Sequence, residues 1–198
     1  MKKSKSENTK EFIIEKTAVI FNEKGYAGTS ITDLMGATGL SKGCIYGNFE
    51  NKDEIALKAF DYNFGKITQH IKERISAEES SIKRLLVYPH MYRNYYKYPY
   101  LQAGCPILNT ATEADDTHQQ LRERVENALD FWRISIENQI KRGIERKEIK
   151  EDTDANEFAV VMISIIEGSF MQAKASRKMD ELKLAMSFLE KMILQLEV

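Results

Sequence analysis

Proline occurs only three times in 198 residues and glycine ten times, too little punctuation for the many tight turns of a β-sandwich or barrel. The two cysteines, Cys44 and Cys105, stand far apart in no metal-binding or redox spacing, which excludes a disulfide framework and leads us to expect a reducing, cytoplasmic setting. Histidine is as sparse: His70, His90 and His118 are scattered, and no HExxH, phosphate-cradling glycine loop or Gly-x-Ser-x-Gly turn occurs. We therefore expect no cofactor, no metal and no enzyme. A helical enzyme using Cys105 is the rival reading, but no basic residue flanks that thiol to activate it. Charge of either sign is also not in excess. The formal net charge of −1 excludes a globally basic nucleic-acid binder and leaves only a local basic surface open. Long apolar runs are missing too. The longest, Phe158 to Ile166, is nine residues with a Ser inside, short of a membrane span. Ser6 to Lys10 is polar where a secretion signal needs an apolar stretch.

What is present is helical periodicity almost everywhere, without the alternation of a half-buried strand. The spacing predicts a first helix from about Asn8 to Lys24, stopped by Gly25. A short helix capped by Ser30 follows and closes at Gly39, and Ser41 opens another. Asn51 with Glu54 opens a long helix. A further helix from Ile82 to about Tyr98 is expected to kink at Pro89. Gly104-Cys105-Pro106 reads as a turn before a short piece from Ile107 to Ala114. Thr117 with Gln120 reads as a capping box for a helix to about Arg146, Asp154 opens the next, and the last runs from about Met179 to Leu196. The expected fold is all-α with about nine helices.

Helix Ser30–Thr38, turn Gly39-Leu40 and helix Ser41–Asn48 have the lengths and the glycine that a helix-turn-helix needs. Ile31, Leu34, Met35, Leu40 and Ile45 are spaced to fold inward. That leaves Lys42, Gly43, Cys44, Tyr46, Gly47 and Asn48 outward, small or hydrogen-bonding residues suited to a groove floor. Lys42 and Lys52 can meet phosphates as point charges, and the hydroxyls of Thr29, Ser41 and Tyr46 can donate to phosphate oxygens. Backbone N–H groups near Ser30 and Ser41 favour phosphate as well. Lys2, Lys3, Lys5 and Lys10 make residues 1–10 a basic arm.

The run Thr29-Ser30-Ile31-Thr32-Asp33-Leu34 through Gly39-Leu40-Ser41-Lys42-Gly43-Cys44-Ile45-Tyr46-Gly47-Asn48-Phe49-Glu50-Asn51-Lys52-Asp53-Glu54 resembles the N-terminal domain of TetR/AcrR-family regulators. The likeness covers residues 8–60 in detail, and Gly104-Cys105-Pro106-Ile107-Leu108-Asn109 looks like a pattern of one subgroup. It implies a three-helix DNA-binding domain, placed here at 1–52, and a helical ligand-binding and dimerisation domain at 53–198. It further implies a repressor that binds a palindromic, double-stranded operator as a homodimer and leaves it when a small hydrophobic or aromatic molecule binds. A redox-responsive or ligand-independent DNA-binding protein is the alternative. Cys44 and Gly47 depart from the usual pattern, where Thr, Ser or Ala and a bulkier residue are commoner, so the expected operator differs from those of better-known members.

Two further constellations follow. Phe158 to Ile166 is apolar on nearly all sides, and a helix apolar all round is buried all round. In the last helix Leu182, Ala185, Met186, Leu189, Ile193 and Leu196 form one stripe, while Leu184 and Phe188 add to a second. The resemblance implies that a second copy covers the spare faces, with Ile163, Ile166, Phe188, Leu189 and Ile193 as candidates. Six of the nine tyrosines fall between Tyr88 and Tyr100, and Tyr88, Tyr92, Tyr95 and Tyr96 share one expected helical face. With Trp132, Met162 and Phe170, and with Cys105, Asn109, Glu113 and Glu167 as handles, they are the candidate effector site. On periodicity alone an ordinary packed core accounts for the aromatic stripe better; the number of tyrosine hydroxyls, each wanting a partner when buried, and the resemblance favour a pocket.

Overall fold

In the computed structural model residues 4–198 are described, and Lys2 and Lys3 of the expected basic arm lie outside them, as does the Lys5 side chain. Among the described residues there are ten α-helices and no strand: α1 Lys5–Gly28, α2 Ile31–Thr38, α3 Lys42–Tyr46, α4 Lys52–Ala77, α5 Ser81–Arg93, α6 Pro99–Gln102, α7 Pro106–Ala114, α8 Gln119–Glu145, α9 Ala155–Ser176 and α10 Met179–Leu194. A 3₁₀ turn, Tyr95–Lys97, separates α5 from α6. The additional helix arises because the segment expected to run unbroken to Tyr98 ends at Arg93, where Asn94 leaves helical geometry (φ −107°, ψ 24°). Its own amide holds that end by donating to the His90 carbonyl at 2.8 Å.

The chain divides into two compact units. The first holds the residues up to Lys66 together with Ala103–Glu126. Its core is Ile13, Ile14, Ala18, Phe21, Leu34, Ile45, Phe49, Ile55, Ala56 and Ala59, with Ile31, Met35 and Leu40 packed partly buried against it. Those are the residues whose spacing turned them inward in α2 and α3. Helix α1 continues past its expected stop, but Gly25 (φ 73°, ψ 177°) breaks it into two pieces. Gly39 ends α2 in the left-handed conformation (φ 67°, ψ 12°), where any side chain adds strain.

The second unit holds Ile67–Gln102 and Asn127–Val198. Here α10 packs on both α9 and α5, burying Tyr88, Tyr92, Met162, Ile166, Phe170, Leu182, Met186, Leu189 and Ile193. By length and composition α9 is apolar enough to cross a membrane, with a mean hydropathy of 1.3 over its best window, which the nine-residue run alone did not bring out. It spends Ala159, Met162, Ile166, Phe170 and Ala173 on its own protomer, as the core helix of a globular unit does. The cap of α8 also differs from expectation. Thr117 donates instead to the Glu113 carbonyl, and the His118 Nδ1 accepts from Leu121 N at 3.3 Å.

Candidate nucleic-acid interface

Local chemistry fixes α2 and α3 before any long-range contact is considered. The Ser30 hydroxyl accepts from Asp33 N at 3.2 Å while the Asp33 carboxylate takes the Ser30 N–H at 2.8 Å, a reciprocal capping box. The Lys24 ammonium at 2.6 Å, with the Ser30 hydroxyl and amide, holds the Asp33 carboxyl well below the ordinary carboxylate range. Thr38 donates to the Leu34 carbonyl at 2.7 Å and accepts from Leu40 N at 3.3 Å, bracing the turn. Ser41 caps α3 by accepting from Cys44 N at 3.2 Å. Leu34 and Ile45 then meet in the core and set the two helices against each other.

The outer face of this pair is mostly as the spacing predicts. Ser41, Lys42, Gly43 and Gly47 are exposed, and Cys44, Tyr46 and Asn48 are half-buried. Nothing lies within 4 Å of where a Gly43 side chain would start, which leaves bare backbone for close approach to a groove. The Asn48 amide donates to the Cys44 carbonyl at 2.9 Å and accepts from the Ser6 hydroxyl at 3.4 Å, so the start of α1 reaches the end of α3. From α1, Lys10 lies over the Phe49 ring at 5.6 Å.

Two expected phosphate contacts are turned the other way. Thr29 is buried and its hydroxyl donates to the Gly25 carbonyl at 2.6 Å. Lys52 donates from Nζ to the Tyr26 and Thr29 carbonyls at 2.8 and 3.0 Å and sits 4.2 Å from the Tyr26 ring centre. Both therefore brace the exit of α1. The same Tyr26 donates its hydroxyl to Asp53, a bond that, with burial, pushes the phenol up to about 12. His118 packs edge-on to the Tyr26 ring at 4.7 Å. No local pattern announces this Tyr26–Lys52–Asp53–His118 knot, because Tyr26, the Lys52–Asp53 pair and His118 stand far apart along the chain.

The candidate effector residues do not form one group. In the second unit Trp132 stacks on Tyr92 with ring centres 5.7 Å apart and lies 6.2 Å from Tyr88. Phe170 stands edge-on to Tyr92 at 5.7 Å and to Tyr95 at 5.2 Å. The Tyr88 hydroxyl bonds Ser135 at 3.0 Å, and burial pushes it up to about 12. Met162 and Glu167 are buried on α9. Tyr96 leaves this cluster, 56% exposed, since α5 has already ended. Cys105, Asn109 and Glu113 belong to the first unit; Cys105 is buried, and the other two are bonded to α1. For the dimer, Ile166, Leu189 and Ile193 prove to be protomer core and Ile163 is half-buried. Phe188 is exposed together with Leu184, Val160, Val161 and Met171.

Comparison with known proteins agrees with this geometry. The family model "Bacterial regulatory proteins, tetR family" matches residues 13–59, and "Tetracyclin repressor-like, C-terminal domain" matches residues 81–189. A TetR-family regulator of Cytophaga hutchinsonii is 42% identical, superposes with a TM-score of 0.95, and is matched over 100% of this chain and 99% of its own. A helix-turn-helix regulator from the lacX 3' region of Lactococcus lactis is 28% identical over 178 residues, 89% of this chain and 88% of the relative. The repressor DhaR of Mycobacterium sp. strain GP1 is 22% identical over 178 residues, 87% of this chain and 86% of its own.

Proposed function

The chain belongs to the tetR family of bacterial regulatory proteins, and on that premise we propose that it represses transcription in the cytoplasm by binding a two-fold operator as a dimer. No catalytic step is part of this reading. The observation that carries it is the bare outer face of α3, where Ser41, Lys42, Gly43 and Gly47 stand exposed on a pair of helices held rigid from within. A helix presented this way enters a major groove, with small residues at the base edges and Lys42 at the backbone. Ser30, Cys44, Tyr46 and Asn48 border that face. Thr29 and Lys52 act behind it. One recognition helix touches too few base pairs for useful selectivity, which favours two copies on a palindrome. The related repressor DhaR supports negative control.

The test begins with an operator selected from a random DNA pool. Lys42→Ala is expected to weaken binding to operator and to random DNA alike, and to flatten the plot of log affinity against log salt by about 0.9 per lost phosphate contact. Lys52→Ala is expected to lower thermal stability instead, since its ammonium serves two carbonyls. If Lys42→Ala leaves both affinities and the slope unchanged, α3 does not dock as described.

The same reading includes an effector: a small apolar or aromatic molecule bound in the second unit beside Tyr88, Tyr92, Trp132, Met162 and Phe170, with Glu167 as a polar neighbour. The supporting observation is the Trp132 indole Nε1, buried with no acceptor among the described residues, because a buried indole N–H normally finds a partner. Trp132 is the only tryptophan, so its fluorescence reports on the site. Titration with a panel of aromatic and hydrophobic compounds is expected to find one that shifts Trp132 emission and releases operator over the same concentration range, as differential affinity for two states requires. Compounds that shift the emission and never alter operator affinity would sink the effector role.

A further inference from the structure

The Gly104–Asn109 motif and Glu113 stand in the structure as one polar lattice on α1. The break at Gly25 frees two backbone donors, and the Glu113 carboxylate takes both: Tyr26 N to Oε2 at 2.6 Å and Ala27 N to Oε1 at 2.7 Å. One turn earlier, the Asn22 amide donates to the Gly104 carbonyl at 2.9 Å. Asn109 Nδ2 in turn donates to the Asn22 carbonyl at 2.8 Å, with the Asn22 side-chain oxygen at 3.0 Å and the Ala103 carbonyl at 3.2 Å. Gly25 is matched to this lattice twice over. Its positive φ suits glycine, and a Cβ there would collide with the Glu113 carboxylate. The free space left among these groups, about 20 Å³, admits one water molecule and no organic ligand.

We propose that Asn109 and Glu113 are positioning residues for DNA recognition: they hold α1 against α7 on both sides of its break, and through it the direction in which each protomer presents α2 and α3. Helix α2 begins at Ile31, directly beyond the final turn of α1 that Glu113 caps, and Ile13, Ala18 and Phe21 of α1 share one core with Leu34 and Ile45, so whatever holds α1 also holds the reading pair. The core of Leu34, Ile45, Phe49 and Ile55 closes without either residue, which separates direction from folding. The segment that supplies the lattice is covalently continuous with the second unit at both ends, after Gln102 and at Asn127 within α8. A carboxylate bonded to two backbone donors is stronger and more directional than a neutral pair would be. That suits a joint whose angle matters.

The proposal rests on the dimeric, two-fold reading above, and spacing between half-sites is what it controls. The experiment compares affinity for the selected operator with that for versions one base pair longer and shorter. Wild type is expected to prefer one spacing sharply. Glu113→Ala is expected to weaken binding at that spacing on the order of tenfold, as for loss of a hydrogen bond to a charged group, and Asn109→Ala by about three- to tenfold, as for a neutral one; both are expected to bind all three spacings nearly equally. Base preference within a half-site and the salt slope stay as in wild type. Equal weakening at every spacing, with the preference intact, is the mark of mere destabilisation and overturns the proposal. So does unchanged discrimination in a folded variant. Should Glu113→Ala fail to fold, Glu113→Gln keeps the shape and one acceptor and carries the same comparison; failure of both to fold makes the carboxylate structural and also overturns it. A wild type indifferent to spacing refutes the dimeric reading instead.

Discussion

Replacing both Leu184 and Phe188 by Asp is expected to give a folded monomer that binds its operator about 100- to 10,000-fold more weakly, the range lost when two linked contacts become one. The two side chains stand one turn apart on α10, 71% and 60% exposed on the single protomer. On the neighbouring helix, α9 exposes Val160, Val161 and Met171, and α9 and α10 pack against each other. Exposed apolar residues gathered on two neighbouring helices are uncommon on a monomeric surface and mark a contact site. A carboxylate buried there without a partner costs several kcal/mol on each side of a two-fold interface. On the free protomer it sits in water at no such cost. Sedimentation equilibrium gives the oligomeric state, and fluorescence anisotropy with labelled operator gives affinity. A variant that stays dimeric refutes the assignment of the face, and a wild type that is monomeric at micromolar concentration while binding operator tightly refutes the dimer.

Leu189→Asp, one residue further along, is a different experiment. Leu189 is fully buried within its own protomer, and the charge is expected to unfold the second unit. Periodicity could not separate these neighbours. Both α9 and α10 carry two apolar stripes, and a stripe that faces its own chain reads the same as one that faces a partner. By contrast, α2 and α3 are legible almost to the residue, because Ser30 and Ser41 accept from amides three positions on and the Gly39 N–H donates to a carbonyl four positions back. Where the determinant was distant, the sequence was silent. Glu113 looked like a handle for a ligand, yet its donors Tyr26 and Ala27 lie 87 and 86 positions earlier. Lys52 reads as a phosphate contact because it follows the reading helix, but its ammonium finds the carbonyls of Tyr26 and Thr29 at the exit of α1. The tyrosine stripe failed at its far end for a local reason: α5 stops at Arg93, so Tyr96 falls outside the four-residue repeat that placed it beside Tyr88 and Tyr92.

Phe170→Ala is expected to destabilise the second unit by about 3–5 kcal/mol, a large share of the roughly 5–15 kcal/mol that holds a domain folded. The ring is fully buried and stands edge-on to both Tyr92 and Tyr95. Trp132 is stacked on Tyr92, so Tyr92 cannot fill the void without giving up that packing. For a chain of this size the loss corresponds to roughly 6–20 °C in thermal midpoint. Urea denaturation followed through Trp132 reports on this unit specifically. The magnitude also bears on the effector, because rings that part to admit a molecule pack less tightly without it than rings that form a closed core. The measurement is therefore made with and without the compound found by Trp132 titration, whose binding raises wild-type stability in proportion to the logarithm of its concentration over its dissociation constant. A loss of only about 1 kcal/mol, with the compound no longer stabilising the variant, places the effector among these rings. The full loss, with the compound still stabilising the variant as much as wild type, makes Phe170 ordinary core and moves the effector away from it.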